Sequence, residues 1–348
     1  MELRSIRALP ERVPAGLPAR CTAAIALCFL ALCTPTMAAP AYTSFGIPES
    51  DGTWGEGINS AGIIVGDFAN DTGYRGFLRA ADGTITDFDP PNSFETFPVG
   101  ITDSNVVGGD FLDEFEHGFV RAADGTITVF DPPGSGNTFA NGMNEKGAIV
   151  GIWSTPDNSV TAGFVREPNG HITSIAIPGA ILTSANGIND HRVIVGSYYD
   201  SNNMSHGFIR AEDGTITTLD VAGATGTFAS VINDSGIIAG GYLGARNAER
   251  GFVRTPDGTI ATVGFKDCHG LFYVADINDR GVIIGSCVTK SRQTFGYMRR
   301  ADGTLHKFAV PGGDENTVPQ GINAAGVIAG FYGKQNTVQA LGFLRTQK

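Results

Sequence analysis

Basic charge is scarce in this 348-residue chain: 24 Lys and Arg stand against 35 Asp and Glu, a formal net charge of −11. A binder of the phosphate backbone needs a basic footprint, so nucleic acid is not an expected partner. Cysteine is scarcer still, five in all, and no two stand as C-x-x-C. H-E-x-x-H, a Walker A loop, a G-x-S-x-G elbow and a complete EF-hand loop are also missing, which removes the compact signatures of zinc, nucleotide, acyl-transfer and calcium chemistry. Charged residues make up only 17% of the chain against 42% hydrophobic, too apolar a balance for a disordered polymer. Glycine is abundant, with 48 residues, and that favours turns and short strands over helix bundles.

The one long apolar run, CTAAIALCFLAL at 21–32, follows Arg4, Arg7, Arg12 and Arg20 and precedes the small-residue stretch PTMAAPA. Its dozen residues fall short of the roughly 20 that span a bilayer, and the layout is that of a secretory signal peptide covering 1–38. Cleavage is expected after Ala38, or after Ala41. Losing four Arg and two Glu would take the net charge from −11 to −13. Cys21, Cys28 and Cys33 would leave as well, so Cys268 and Cys287 alone would meet the oxidising conditions of a secreted or periplasmic protein. No second apolar span follows, so no membrane anchor is expected, and residues 39–348 read as one domain.

Internal repetition dominates that domain. A twelve-residue motif recurs seven times, starting at Gly57, Gly100, Gly142, Gly187, Val231, Asp276 and Gly321, as in GINSAGIIVGDF, and its tenth position is always glycine. A shorter motif of the form G-F-x-R follows each copy, ending in Arg79, Arg121, Arg166, Arg210, Arg254, Arg299 and Arg345, at a spacing of about 44 residues. The N-x-x-G tetrapeptide is a turn closed in the left-handed region, with Asn105 and Arg192 where other copies have glycine. The D-G or N-G pairs, as at Gly83, are hairpin turns. Four short strands per repeat is the pattern of a β-propeller blade.

Seven G-F-x-R strands are followed by only six hairpins into a fourth strand. The segment 42–48, YTSFGIP, resembles the end of such a strand, as in 86–90, TDFDP. The expected fold is therefore all-β, a seven-bladed propeller whose ring closes when the N-terminal strand pairs with 342–345. A linear β-solenoid, the rival reading, leaves the missing strand unexplained and its edge open.

These units resemble the bacterial extracellular repeats called the HAF family, after a His-Ala-Phe triplet in the third strand. Here the triplet is His117-Gly118-Phe119 and His206-Gly207-Phe208, with other residues replacing His elsewhere and Gly always replacing Ala. The resemblance spans essentially all of 39–348. It implies an exported repetitive protein and brings no settled activity with it.

Antiparallel order puts both short turns of each repeat at one end of the blades and the variable connections at the other, where binding is usually carried. The expected ligand-binding residues lie there: Asp110, Asp113, Glu114, Glu116 and His117, with His206, Arg250 and Arg292 in later blades. Export and strand direction also place Cys268 and Cys287 together as a disulfide. The function read from this pattern is a monomeric binding module for a glycan, peptide or surface partner, with no cofactor beyond a weakly held divalent ion. The alternative is an exported lyase or hydrolase using His117 or His206 with the acidic loop residues. The seven arginines and the position-twelve aromatics are assigned to scaffold.

Overall fold

The computed structural model describes residues 39–245, 248–334 and 339–346, without the side chains of residues 269, 314 and 315. Residues 1–38, read from the sequence as a signal peptide, lie outside the described residues. The described residues form 28 strands. After β1 (Ala41–Phe45) come β2 (Gly52–Ile58), β3 (Ile64–Asn70), β4 (Gly73–Arg79) and β5 (Ile85–Phe88). The next unit is β6 (Glu95–Ile101), β7 (Val107–Leu112), β8 (Glu116–Arg121) and β9 (Ile127–Phe130), followed by β10 (Asn137–Met143), β11 (Ile149–Ser154), β12 (Thr161–Arg166) and β13 (Ile172–Ile175). Then come β14 (Leu182–Ile188), β15 (Ile194–Tyr199), β16 (Ser205–Arg210) and β17 (Ile216–Leu219), and β18 (Gly226–Ile232), β19 (Ile238–Leu243), β20 (Glu249–Arg254) and β21 (Ile260–Val263). Last are β22 (Cys268–Ile277), β23 (Ile283–Thr289), β24 (Thr294–Arg299) and β25 (Leu305–Phe308), then β26 (Gly313–Ile322), β27 (Ile328–Lys334) and β28 (Ala340–Thr346).

Each unit is a four-stranded antiparallel meander, and β26, β27 and β28 take β1 as their fourth member, with Phe45 opposite Gly342 and Tyr42 opposite Arg345. Single parallel pairs, Thr294 with Asn316 and Gly52 with Ala340, link neighbouring units at their edges. First strands pack on first strands through the whole series, and β26 packs on β2.

The motif residues explain this geometry. The tenth-position glycine lies under the aromatic ring of its own third strand: a Cβ on Gly66 would fall 1.9 Å from the Trp54 carbonyl oxygen and 3.0 Å from the Phe77 ring. Those rings, Phe77, Phe119, Phe164, Phe208, Phe252, Tyr297 and Phe343, are fully buried, each worth about 1.5–3 kcal/mol of apolar burial. Four of them meet the fourth-strand Phe of the preceding unit edge-on, as Phe88 meets Phe119 with centroids 6.0 Å apart. The arginine two residues on stacks over that same fourth-strand ring, Arg121 over Phe88 at 5.2 Å and Arg166 over Phe130 at 5.0 Å, while its Nη1 donates to the carbonyl of the next residue. Arg79 stacks likewise over Phe45 at 5.0 Å, which gives β1 the role of a fourth strand.

The motif asparagine serves two units. Asn189 Oδ1 accepts from Val193 N inside its own turn, and its Nδ2 donates to the Asn233 carbonyl in the next unit. Asn144, Asn233 and Asn278 repeat the link. Where the turn lacks glycine, Asn105 and Arg192 still adopt the left-handed backbone, with φ of 64° and 60°. That is strained for arginine, as the sequence predicts.

Candidate functional site

The two ends of the units differ chemically. At the short-turn end the fourth motif position supplies Asp103, Glu145, Asp190, Asp234 and Asp279 around the mouth of a cavity of about 320 Å³ enclosed by the first strands. Each of these carboxylates accepts from a backbone N–H of the preceding unit, as Asp103 does from Ser60 at 2.7 Å and Glu145 from Asp103 at 2.8 Å. Burial pushes the Glu145 carboxyl upward, and the charges of Asp103, Asp190 and Asp279 add to that. This acidic ring serves as inter-unit stapling.

The other end mixes charged residues with exposed apolar ones. Among the described residues nine large hydrophobic side chains are exposed, and six of them belong to the variable end. Phe94 and Ile181 stand in fourth-to-first connections, and Phe115, Val160 and Met204 in second-to-third connections. Leu271 sits in the irregular start of β22, where the register breaks between Cys268 and Phe272, whereas Phe139 and Tyr273 stand within the paired parts of β10 and β22. Exposure reaches 59% at Phe94 and 63% at Leu271. Long side chains of this kind in water are the mark of a contact surface when they gather on one side of a molecule.

The residues singled out from the sequence fall into three groups. Asp110 is not a loop residue: it lies inside β7, buried, where its Oδ1 accepts from Ala140 N at 2.9 Å. Burial pushes its carboxyl to about 8. Asp113 and His117 do come together. His117 Nδ1 lies 2.7 Å from Asp131 and Nε2 3.2 Å from Asp113, with the ring tilted over Phe111. Burial alone pulls the imidazole pKa down, and the hydrogen bond and charge of Asp131, with those of Asp113, outweigh it and leave it raised. His206 repeats the arrangement with Asp220 at 2.9 Å and Asp200 at 3.7 Å, stacked on Tyr198; the Asp220 hydrogen bond leads in raising its pKa. Both nitrogens of each ring thus face carboxylates, which clamp the third strand to the end of the fourth. Arg75 Nε fills the same role toward Asp89 at 2.5 Å.

Glu114 is exposed, and Glu116 opens β8 half-buried, pushed upward first by desolvation and then by Glu95, with Oε2 buried and unpartnered. Arg250, in β20, and Arg292, between β23 and β24, are exposed in other units, and no described carboxylate pairs with either. Cys268 and Cys287 lie 5.8 Å apart at Cα, their sulfurs 2.08 Å apart. Among the described residues no group of three His, Cys, Asp or Glu side chains converges as a metal site. Nor, among them, is any helix long and apolar enough to cross a membrane.

Sequence reasoning did not single out Glu56 and Asp67. Glu56 sits in the bulge of β2, between Gly55 and Gly57, and its Oε2 accepts from Gln320 Nε2 at 2.7 Å. Burial pushes it to about 7. Asp67 stands opposite Trp54 in the β2–β3 ladder, is 7% exposed, and is pushed to about 8 by burial and then by the charge of Glu56.

No protein-family profile matches the chain, and no curated protein matches it in sequence. Solved structures do match in fold. A catalytically inactive virginiamycin B lyase from Staphylococcus aureus with quinupristin superposes at a TM-score of 0.61 and 12% identity, over 88% of this chain and 99% of that one. The β-propeller domain of the trilobed protease from Pyrococcus furiosus gives 0.59 and 12%, over 85% and 97%; TolB from Acinetobacter baumannii gives 0.50 and 11%, over 74% and 63%. Such identities establish the β-propeller fold and leave chemistry to the side chains.

Proposed function

We propose that the chain is an exported seven-bladed β-propeller that acts as a binding module and holds a peptide or protein partner on its variable-loop end. The single observation that carries this reading is the one-sided distribution of exposed apolar side chains, six of nine at that end. Aliphatic Val160, Ile181, Met204 and Leu271 accompany the aromatic residues, a mixture suited to peptide side chains rather than to sugar rings, which are met by aromatic faces and hydrogen-bonding groups. The lyase or hydrolase alternative is weaker, because His117 and His206 spend both ring nitrogens on carboxylates that favour the charged imidazolium and leave no free base.

Seven blades in a closed ring are supported by β1 completing the unit of β26 to β28, by the packing of β26 on β2, and by Arg79 over Phe45. The reading of residues 1–38 as a signal and 39–348 as one HAF-like domain rests on the sequence, and export in turn supports a Cys268–Cys287 disulfide.

Panning a random peptide library on the immobilised protein tests the function. Selected peptides should lose binding when Phe94 and Leu271 are both changed to Ser, and keep it when Asp124→Asn alters the short-turn end. Selection of no peptide, or of peptides indifferent to the Phe94/Leu271 pair, would sink the proposal.

A further inference from the structure

Two carboxyls and a run of aromatic rings meet where β2, β3 and β4 face β6, and one of the carboxyls, Asp67, has no partner among the described residues. The Trp54 and Tyr74 centroids are 5.5 Å apart, Tyr74 and Phe97 also 5.5 Å, and Trp54 and Phe331 6.4 Å. All four rings are partly exposed. Asp67 shares the face of β2–β4 that carries Trp54 and Tyr74, since it pairs with Trp54 across one ladder and Gly76 across the other.

Comparison with the next repeat shows what is unusual. Asp110, the counterpart of Asp67, receives the N–H of Ala140. The counterpart of Ala140 is Pro98, placed at the same bulge of its first strand, and proline has no N–H to give. No described residue donates a hydrogen bond to Asp67, which remains 93% buried by its 7% exposure. A carboxyl so placed is unfavourable unless something else meets it. Glu56 stands nearby on the cavity wall, with Gln320 as its partner, and the Gln320 Oε1 is itself buried and unpartnered. No Lys or Arg lines that cavity.

We infer that this partly exposed cluster, beside the cavity that Glu56 lines, binds an organic cation, an ammonium group on a small apolar body, held against Trp54, Tyr74 and Phe97 with Asp67 and Glu56 as its counter-charges. Ring faces attract weakly hydrated cations through their quadrupole, and a carboxylate with no internal donor supplies the full charge. A hard metal ion would need several oxygen ligands, and two carboxylates among rings do not provide them. The face also sets a pH dependence. The titratable groups around Asp67 are Glu56 on β2 and the Tyr74 phenol on β4; β6 brings Phe97 and Pro98 there, and its Glu95 acts on Glu116 instead. Binding a cation therefore expels a proton near neutral pH and tightens as pH rises. The site uses the side chain of neither Phe94 nor Leu271, so failure of either proposal leaves the other standing.

The test titrates the full chain with choline and with its uncharged isostere, 3,3-dimethylbutan-1-ol, at pH 6 and pH 9. Choline should bind about tenfold or more tighter than the isostere, with the larger affinity at pH 9. Asp67→Asn should weaken it by a similar factor, and Pro98→Ala, which returns an N–H to Asp67 and keeps the carboxyl, should weaken it too. No binding of choline at either pH, equal binding of the isostere, or affinity unchanged in both variants would each overturn the inference.

Discussion

The side-chain amide of Asn323 donates to the backbone carbonyl of Asn59 at 3.0 Å, across 264 residues of sequence. It is the same bond by which Asn233 reaches Asn278 and Asn278 reaches Asn323, so the last repeat treats the first as its successor. Asn323 Oδ1 meanwhile accepts from Val327 N and Ala325 N in its own turn.

Asn323→Ala should therefore cost about as much stability as Asn233→Ala in the middle of the series, roughly 1–3 kcal/mol each, because both lose the inter-unit bond and leave a turn N–H, of Val327 or of Ile237, without its acceptor. Denaturant unfolding of the two variants checks this. A neutral Asn323→Ala beside a costly Asn233→Ala would mean that the first and last repeats are not joined as the inner ones are.

Phe45 supplies the ring on which Arg79 stacks and the edge that meets Phe77 at 6.1 Å. Phe45→Ala should lower stability by roughly 2–4 kcal/mol, and deletion of 39–46 should lower it further and expose the edge of β28 to self-association. Thermal melts with light scattering measure both; an unchanged melting temperature after the deletion would count against β1 as a structural strand.

Acidity should stabilise this protein over a range where most carboxyl-rich proteins weaken. Asp110 rises from an ordinary 3.8 to about 8 on folding, so its contribution is fully present below pH 3.8 and is lost as pH climbs through about 8. Asp110→Asn, which keeps an acceptor for Ala140 N, should flatten the slope of stability between pH 5 and 8 by up to about 1.4 kcal/mol per pH unit. Chemical denaturation at several pH values decides it, and an unaltered slope would show that the carboxyl is ionised in the folded state.

Cys268 and Cys287 are 19 residues apart, and a bond between them should contribute about 3 kcal/mol through loop closure. Alkylation of the exported, unfolded, non-reduced chain followed by mass spectrometry should find neither thiol free. Two labelled thiols would remove the bond.

The strands were legible because each is bounded by a turn whose residues have one use, Asn-x-x-Gly or Asp-Gly, and because Phe45 stands in the same short context as Phe88. Asp110 was misplaced for a local reason: it is followed closely by Asp113, Glu114 and Glu116, and the acidic run hides the point where β7 ends and the connection begins. Asp67 was harder to see. The face it shares with Trp54 depends on an extra residue at Glu56, and a bulge reassigns every side chain upstream of it. The one legible signal was Pro98, standing where three later repeats carry Ala140, Ala185 and Ala229 and the last carries Pro319, and it acquires meaning only when the partner of its missing N–H is known.

The pairing of β1 with β28 also sets the order of events in time. Among the described strands β1 has no partner until residues 340–346 exist, so the sheet that joins β1 to β28 must be the last of them to finish, and the loop it closes holds every strand between the two. A chain interrupted anywhere before that point would carry complete inner sheets and one orphan strand with a free backbone edge. The emergence of residues 340–346, rather than any single contact, would be what covers that adhesive edge.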